Sequence, residues 1–103
     1  MNQHDTLRPV SETDVVAWLR SYLSRLLGIP LQDIDPDKTF ERYGLDSSAA
    51  VGMTGDLGDW LGVEIDAAAA YDNPTINQLA RSLAASGALN GRRAVALPAG
   101  AQA

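Results

Sequence analysis

The apolar residues of this chain recur every three or four positions within segments that are bounded by helix-capping and helix-breaking residues. In the first such segment the apolar positions are Val15, Val16, Leu19, Tyr22, Leu23, Leu26 and Leu27. That spacing is typical of an amphipathic helix. Ser11 is a suitable N-cap, and Gly28 followed by Pro30 is a suitable stop signal. We therefore predict a helix from about residue 12 to residue 27.

Three further segments follow the same rules. A second helix is predicted from about 47 to 61, where Gly62 ends it, with either Asp46 or Ser47 as its cap. A short helix is predicted within Asp66–Tyr71, with Asp66 as its cap, and a last helix from the cap Thr75 to about residue 85. No convincing pair of strands is present. The pattern therefore predicts an all-α fold, a four-helix bundle of three longer helices and one short helix.

Three glycines interrupt the second predicted helix at every third position. Gly52, Gly55 and Gly58 each weaken a helix by about 1 kcal/mol relative to alanine. Such a helix has to be held by tertiary packing. Glycine also leaves room for the close approach of another backbone segment or of a ligand.

The length of 103 residues fits one domain. We expect a polar N-terminal tail over 1–10, a helical domain over 11–86, and a tail or linker over 87–103. Between the first two helices lies a long loop with two isolated apolar residues, Ile34 and Phe40. Long loops in compact domains are rarely loose, so these two side chains are expected to pin the loop onto the core.

The charge distribution excludes several classes of function. The net charge is −5, and most of the 13 acidic residues lie between Asp33 and Asp72, where the only basic residues are Lys38 and Arg42. This surface repels phosphate backbones, so no nucleic-acid partner is expected. It favours protein partners that present a basic docking face.

The composition also argues against metal sites, disulfides and membrane insertion. The chain has no cysteine, and its single histidine, His4, lies in the predicted tail. The alternating Asp33, Asp35 and Asp37 lack the glycine and glutamate that a calcium loop requires, so no metal is expected. No segment is long and apolar enough to cross a membrane. These features fit a cytoplasmic protein.

The segment Gly44-Leu45-Asp46-Ser47 leads into the second predicted helix. A serine at the start of a helix has an exposed hydroxyl near unpaired backbone N–H groups. The partial positive charge of that helix end would stabilise a phosphate ester formed on Ser47. A serine or aspartate in this position is more often only a helix cap. The tetrapeptide alone leaves both interpretations open.

The longer segment from Phe40 to Ser48 resembles the phosphopantetheine attachment site of acyl carrier proteins, in which a glycine and an apolar residue precede Asp-Ser. The resemblance extends from about Val15 to Leu83 and includes the order of the helices. The step Ala70-Tyr71-Asp72-Asn73-Pro74-Thr75-Ile76 is similar to the corresponding step in carrier domains of modular polyketide synthases. The resemblance implies the acyl-carrier type of four-helix bundle.

The resemblance also implies a covalent cofactor. A phosphopantetheinyl transferase would move 4'-phosphopantetheine from coenzyme A to Ser47, and the thiol of the arm would hold acyl groups as thioesters. Asp46 and Gly44 match the residues that surround the modified serine in the family. The carrier itself is expected to perform no catalysis, so no catalytic residue is assigned.

In the family the second helix is the docking surface for partner enzymes. The residues expected to dock are Leu45, Ser48, Val51, Met53, Asp56 and Asp59. Met53 could instead belong to the core, and Leu45 is also expected to pin the loop to it. Ser48 departs from the family pattern, which usually has a bulky apolar residue there. The expected partners are an acyl-loading enzyme, either an acyltransferase or a fatty acyl-AMP ligase, and a ketosynthase or another synthase domain. The ligase is included because residues 56–62 resemble carrier domains found beside such ligases in hybrid synthases. The carrier is expected to be a monomer.

Two alternative functions remain open. One is a peptidyl carrier domain of a nonribosomal peptide synthetase. Those domains more often have a Gly-Gly pair followed by histidine or aspartate before the serine, whereas Tyr43-Gly44-Leu45-Asp46 is closer to the acyl type. The other is a helical protein-interaction module in which Ser47 is only a cap.

Overall fold

The computed structural model describes residues 9–89, which form a bundle of four α-helices. The helices are α1 (Glu12–Leu27), α2 (Ser47–Leu61), α3 (Ala69–Asp72) and α4 (Ile76–Ala85). A single 3₁₀ turn at Leu31–Asp33 lies in the loop between α1 and α2. An isolated β-type bridge pairs Thr39 with Thr75. The predicted all-α bundle of three longer helices and one short helix is confirmed.

Local capping residues set the ends of α1. The Ser11 hydroxyl accepts a hydrogen bond from the Asp14 amide at 3.1 Å, and the Asp14 carboxylate accepts one from the Ser11 amide at 2.9 Å. This reciprocal capping box satisfies two backbone donors that a helix end otherwise leaves unpaired. Gly28 ends the helix in the left-handed region at φ 70°. The predicted bounds of α1 are confirmed.

The short helix begins later than the sequence pattern predicts. The Asp66 carboxylate accepts a hydrogen bond from the Ala68 amide at 2.9 Å, so Asp66 caps a turn and the helix starts only at Ala69. Alanine side chains bury little apolar area, and within this helix only Ala70 is buried. Asp66 caps a turn, as predicted, but the helix expected directly after it begins two residues later, because the alanine run favours a helix without anchoring a longer one to the core.

The core lies where α1, α2 and α4 pack together. Its largest fully buried side chains are Leu19, Leu23, Ile34, Met53, Leu57, Leu61, Ile76, Leu79, Val15 and Thr54. Ile34 and Phe40 from the long loop are 1% and 5% exposed, which confirms that they pin this loop onto the core.

The core reaches slightly beyond the predicted domain of residues 11–86. Val10 and Leu89 are both buried in the core cluster. The predicted tails over 1–10 and 87–103 lie mostly outside the described residues. Within residues 9–89 no helix is long and apolar enough to span a membrane. The same part of the chain contains no group of three or more metal-ligating side chains that could hold an ion.

Three aromatic side chains connect α1 to α2. The ring centroid of Trp18 is 5.2 Å from that of Tyr22 and 5.7 Å from that of Trp60, both in stacked geometry. Burial of Tyr22, together with its hydrogen bond to the Asp56 carboxylate and the charge of that group, raises the pKa of the Tyr22 phenol above its ordinary value of 10.0. The Arg25 charge opposes this shift.

This pKa shift predicts a loss of stability in alkaline solution. The folded protein keeps the Tyr22 proton to a higher pH than the unfolded chain does, so the unfolded state is favoured as its own tyrosine ionises. The contribution is fully present below about pH 10 and is lost as pH rises through the folded pKa. We expect the free energy of unfolding of Tyr22→Phe to fall less steeply than that of the wild type between about pH 9 and 11. Urea titrations at each pH measure both slopes, and equal slopes would contradict the assignment.

Candidate functional site

A tight turn before α2 presents Ser47 to solvent. The Gly44 amide donates to the Glu41 carbonyl at 2.9 Å, and the Leu45 amide donates to the Phe40 carbonyl at 3.1 Å. Gly44 has φ 87°, a conformation that residues with a side chain rarely adopt. Leu45 is half-buried and packs against the core, which fixes the turn relative to the bundle.

Asp46, and not Ser47, caps α2. The Asp46 carboxylate accepts a hydrogen bond from the Ala49 amide at 2.9 Å, and the Asp46 carbonyl accepts from the Ala50 amide at 2.9 Å. Ser47 is the first residue of the helix and is exposed. The choice that the sequence left open is therefore decided, and the Ser47 hydroxyl is not used for capping.

The Ser47 hydroxyl has one partner side chain within the described part of the protein. Its Oγ lies 2.9 Å from the hydroxyl oxygen of Tyr71, and either atom can be the donor. Tyr71 belongs to α3 and is 64% exposed. Sequence reasoning did not single out Tyr71, although it lies in the 70–76 step that resembles polyketide synthase carriers. The contact joins the start of α2 to α3.

A groove between α2 and α3 opens beside Ser47. It has a volume of about 590 Å³, and its lining residues are Thr39, Phe40, Glu41, Leu45, Asp46, Ser47, Ala50, Ala70, Tyr71 and Pro74. A shallower depression, which shares only Ser47 with this groove, is lined by Ser47, Ser48, Val51 and Gly52. A group attached to Ser47 therefore has two surfaces along which it can leave the protein.

The predicted docking residues differ in exposure, and Leu45 is half-buried as described above. Ser48, Asp56 and Asp59 are exposed, and Val51 is 56% exposed. Met53 is 0% exposed, so its assignment as a docking residue was wrong. It lies three residues after Ala50 and four before Leu57, on the stripe of α2 that faces the core.

The residues around Ser47 fit a phosphate ester. The hydroxyl is exposed, and the backbone N–H groups of Ser47 and Ser48 in the first turn have no partner within the helix. The Tyr71 hydroxyl provides a further donor. The nearby Asp46 carboxylate accepts a hydrogen bond from the Ala49 amide, which partly offsets its negative charge. The sequence has no cysteine, so a thiol at this site has to come from an attached group.

Comparison with known proteins identifies a family model and related chains. The model of the phosphopantetheine attachment site matches residues 17–83. The acyl carrier protein TtuC of Teredinibacter turnerae is 40% identical over 82% of this chain and 99% of its own length. A phenolphthiocerol/phthiocerol polyketide synthase of Mycobacterium tuberculosis is 36% identical over 72% of this chain, which spans only 4% of that protein.

Solved structures show the same fold. A free-standing peptidyl carrier protein from a secondary metabolic pathway of Acinetobacter baumannii superposes with a TM-score of 0.69 at 34% identity, over 74% of this chain and 95% of that one. The acyl carrier protein Asl1650 of Anabaena, which has a variant phosphopantetheinylation-site sequence, gives a TM-score of 0.69 at 37% identity. That match covers 76% of this chain and 89% of Asl1650.

Proposed function

This chain belongs to the family of carrier proteins defined by the phosphopantetheine attachment site, and we therefore propose that Ser47 bears the arm and that the chain transports acyl groups as thioesters. Carriers of this family are not enzymes, and their 4'-phosphopantetheine is covalently attached. The arm supplies the thiol that this sequence lacks. The work of the protein's own residues is to present the hydroxyl, hold the phosphate and offer a docking surface.

One observation carries the assignment of Ser47. Its hydroxyl is exposed at the first position of α2, while Asp46 takes the capping role that would otherwise explain a serine there. A phosphopantetheinyl transferase can therefore reach the hydroxyl without breaking a helix cap. The test is the intact mass of the chain after incubation with coenzyme A and a broad-specificity transferase. We expect the mass to increase by one phosphopantetheine. A control carrier is treated in parallel, and if only the control gains mass, the proposal is contradicted.

We propose polyketide or fatty-acyl biosynthesis as the pathway. The support comes from relatives named as an acyl carrier protein and as polyketide synthases. The proposed partners are an acyltransferase or fatty acyl-AMP ligase that loads the arm and a ketosynthase that receives the cargo. A peptidyl carrier is the second candidate, since the Acinetobacter baumannii structure is a peptidyl carrier protein. Loading with a panel of acyl-transferring and aminoacyl-transferring enzymes separates the two.

The exposed acidic face of α2 is proposed as the docking surface. Asp59 is exposed on this helix, which contains no basic residue. We expect Asp59→Lys to lower the kcat/KM of the transferase roughly threefold at low salt, because rim charges mainly steer encounter. The difference should shrink at about 0.5 M salt, where charges are screened within a few ångströms. Initial rates by intact mass measure the effect.

Glu64→Lys is the matched control for this charge reversal. Glu64 is exposed, lies beyond the end of α2, and changes the net charge by the same amount. A decrease of equal size in both variants would show that net charge and not the α2 face determines the rate. Asp56 is less suitable, because its carboxylate also raises the pKa of the Tyr22 phenol.

A further inference from the structure

The contact between Ser47 and Tyr71 is not explained by packing. The two hydroxyl oxygens are 2.9 Å apart across a separation of 24 residues in the chain. Tyr71 is 64% exposed, whereas its neighbour Ala70 provides the buried contact of α3. The core therefore does not require a tyrosine at this position. The Tyr71 hydroxyl instead contacts Ser47 Oγ, the atom to which the arm would be attached.

Esterification of Ser47 changes what this contact can be. Ser47 Oγ then has no hydrogen and is a bridging ester oxygen, while the negative charge lies on the non-bridging oxygens of the phosphodiester. The Tyr71 hydroxyl can donate a hydrogen bond to one of them. A hydrogen bond to an ionised acceptor is about twice as strong as one between neutral groups. Because the Tyr71 ring is largely exposed, it can follow the phosphate without repacking of the core.

We propose that Tyr71 is a cofactor-positioning residue, whose hydroxyl donates a hydrogen bond to the phosphodiester on Ser47 and holds the start of the arm on the α3 side of α2. This inference rests on the proposed function, since it needs the arm on Ser47. Tyr71 lines the groove between α2 and α3 but not the shallow depression formed with Ser48, Val51 and Gly52. The hydrogen bond therefore favours the first of the two exit surfaces.

Phosphorus and amide NMR spectra of the loaded protein test this proposal. Wild type, Tyr71→Phe and Tyr22→Phe are each converted with coenzyme A and the transferase, and loading is verified by intact mass. Tyr22→Phe is the matched control, because it removes the same hydroxyl from a tyrosine whose partner is Asp56. We expect the phosphodiester ³¹P resonance to move by more than its linewidth in Tyr71→Phe and to stay in place in Tyr22→Phe.

The amide resonances report the direction of the arm. On loading of the wild type we expect the larger shifts at Ala50 and Ala70, which line the groove with Tyr71. In Tyr71→Phe the shifts should decrease there and increase at Val51 and Gly52. These redistributions would not follow from a merely structural role of the tyrosine.

The possible outcomes distinguish this inference from the proposed function. Failure of the wild type to gain a phosphopantetheine overturns the function itself. Equal ³¹P shifts in three fully loaded proteins overturn the role of Tyr71 and leave the function intact. The role of Tyr71 is also overturned if Tyr71→Phe changes the amide shifts of residues 68–72 equally before and after loading and does not move the ³¹P resonance. The contact would then only hold α3 in place.

Discussion

Replacing Ser47 by alanine abolishes the gain of phosphopantetheine and leaves the fold intact. Alanine has no hydroxyl, so the phosphate ester cannot form. The fold should survive because Asp46 caps α2 and Ser47 is exposed at the first helical position. Alanine is the best helix former, and a surface change of this kind alters stability by about 0.5 kcal/mol or less. Intact mass after incubation with coenzyme A and the transferase measures loading, and a thermal melt by circular dichroism measures the fold.

Ser48→Ala is the matched control for this loss. Ser48 is the next residue, is also exposed, and donates no side-chain hydrogen bond within residues 9–89. Removal of its hydroxyl should still allow the gain of one phosphopantetheine at completion, even if a docking role of Ser48 slows the reaction. Loading that persists in Ser47→Ala and disappears in Ser48→Ala would move the attachment site by one residue. Loading that persists in both variants would show that the phosphate ester does not form at this end of the helix.

The sequence determined the parts of the fold that depend on neighbouring residues. The ends of α1 follow from Ser11, Asp14 and Gly28, which act on the backbone within one helical turn. The start of α2 was left open between two residues, because aspartate and serine are comparable caps and only the geometry shows that Asp46 makes the bond. The start of α3 was missed because its limit is set by contact with the core.

The candidate site was predictable only in part for the same reason. Ser47 stands out because a local motif surrounds it. Its contact with Tyr71 depends on how α3 packs against α2, which no spacing in the sequence reveals. Met53 is a different kind of error, since its position on the buried stripe of α2 could have been read from the helical period. The family resemblance favoured docking there and left a core position open, and the periodicity should have decided for the core.

Alanine at Gly58 destabilises the protein, although alanine favours a helix over glycine. A Cβ atom at Gly58 would lie 2.6 Å from the carbonyl oxygen of Val63, which is closer than real Cβ contacts come. The expectation that a glycine of this helix allows the close approach of another backbone segment is confirmed at this position. The amides of Gly62 and Val63 both donate to the Gly58 carbonyl, at 2.7 and 3.1 Å. The turn after α2 therefore cannot move away without losing these bonds.

Gly55→Ala, in the same helix, is expected to change the free energy of unfolding in the opposite direction. Gly55 is exposed, and a Cβ atom there would meet nothing within 4 Å. Alanine should therefore raise the free energy of unfolding by about 0.5–1 kcal/mol through helix propensity alone. At Gly58 the steric cost of overpacking exceeds this gain, and we expect a net loss of about 1–3 kcal/mol. Urea denaturation of the two variants beside the wild type measures both changes. If Gly58→Ala were as stable as Gly55→Ala, the turn after α2 would not pack against the helix in solution, and helix propensity alone would account for both glycines.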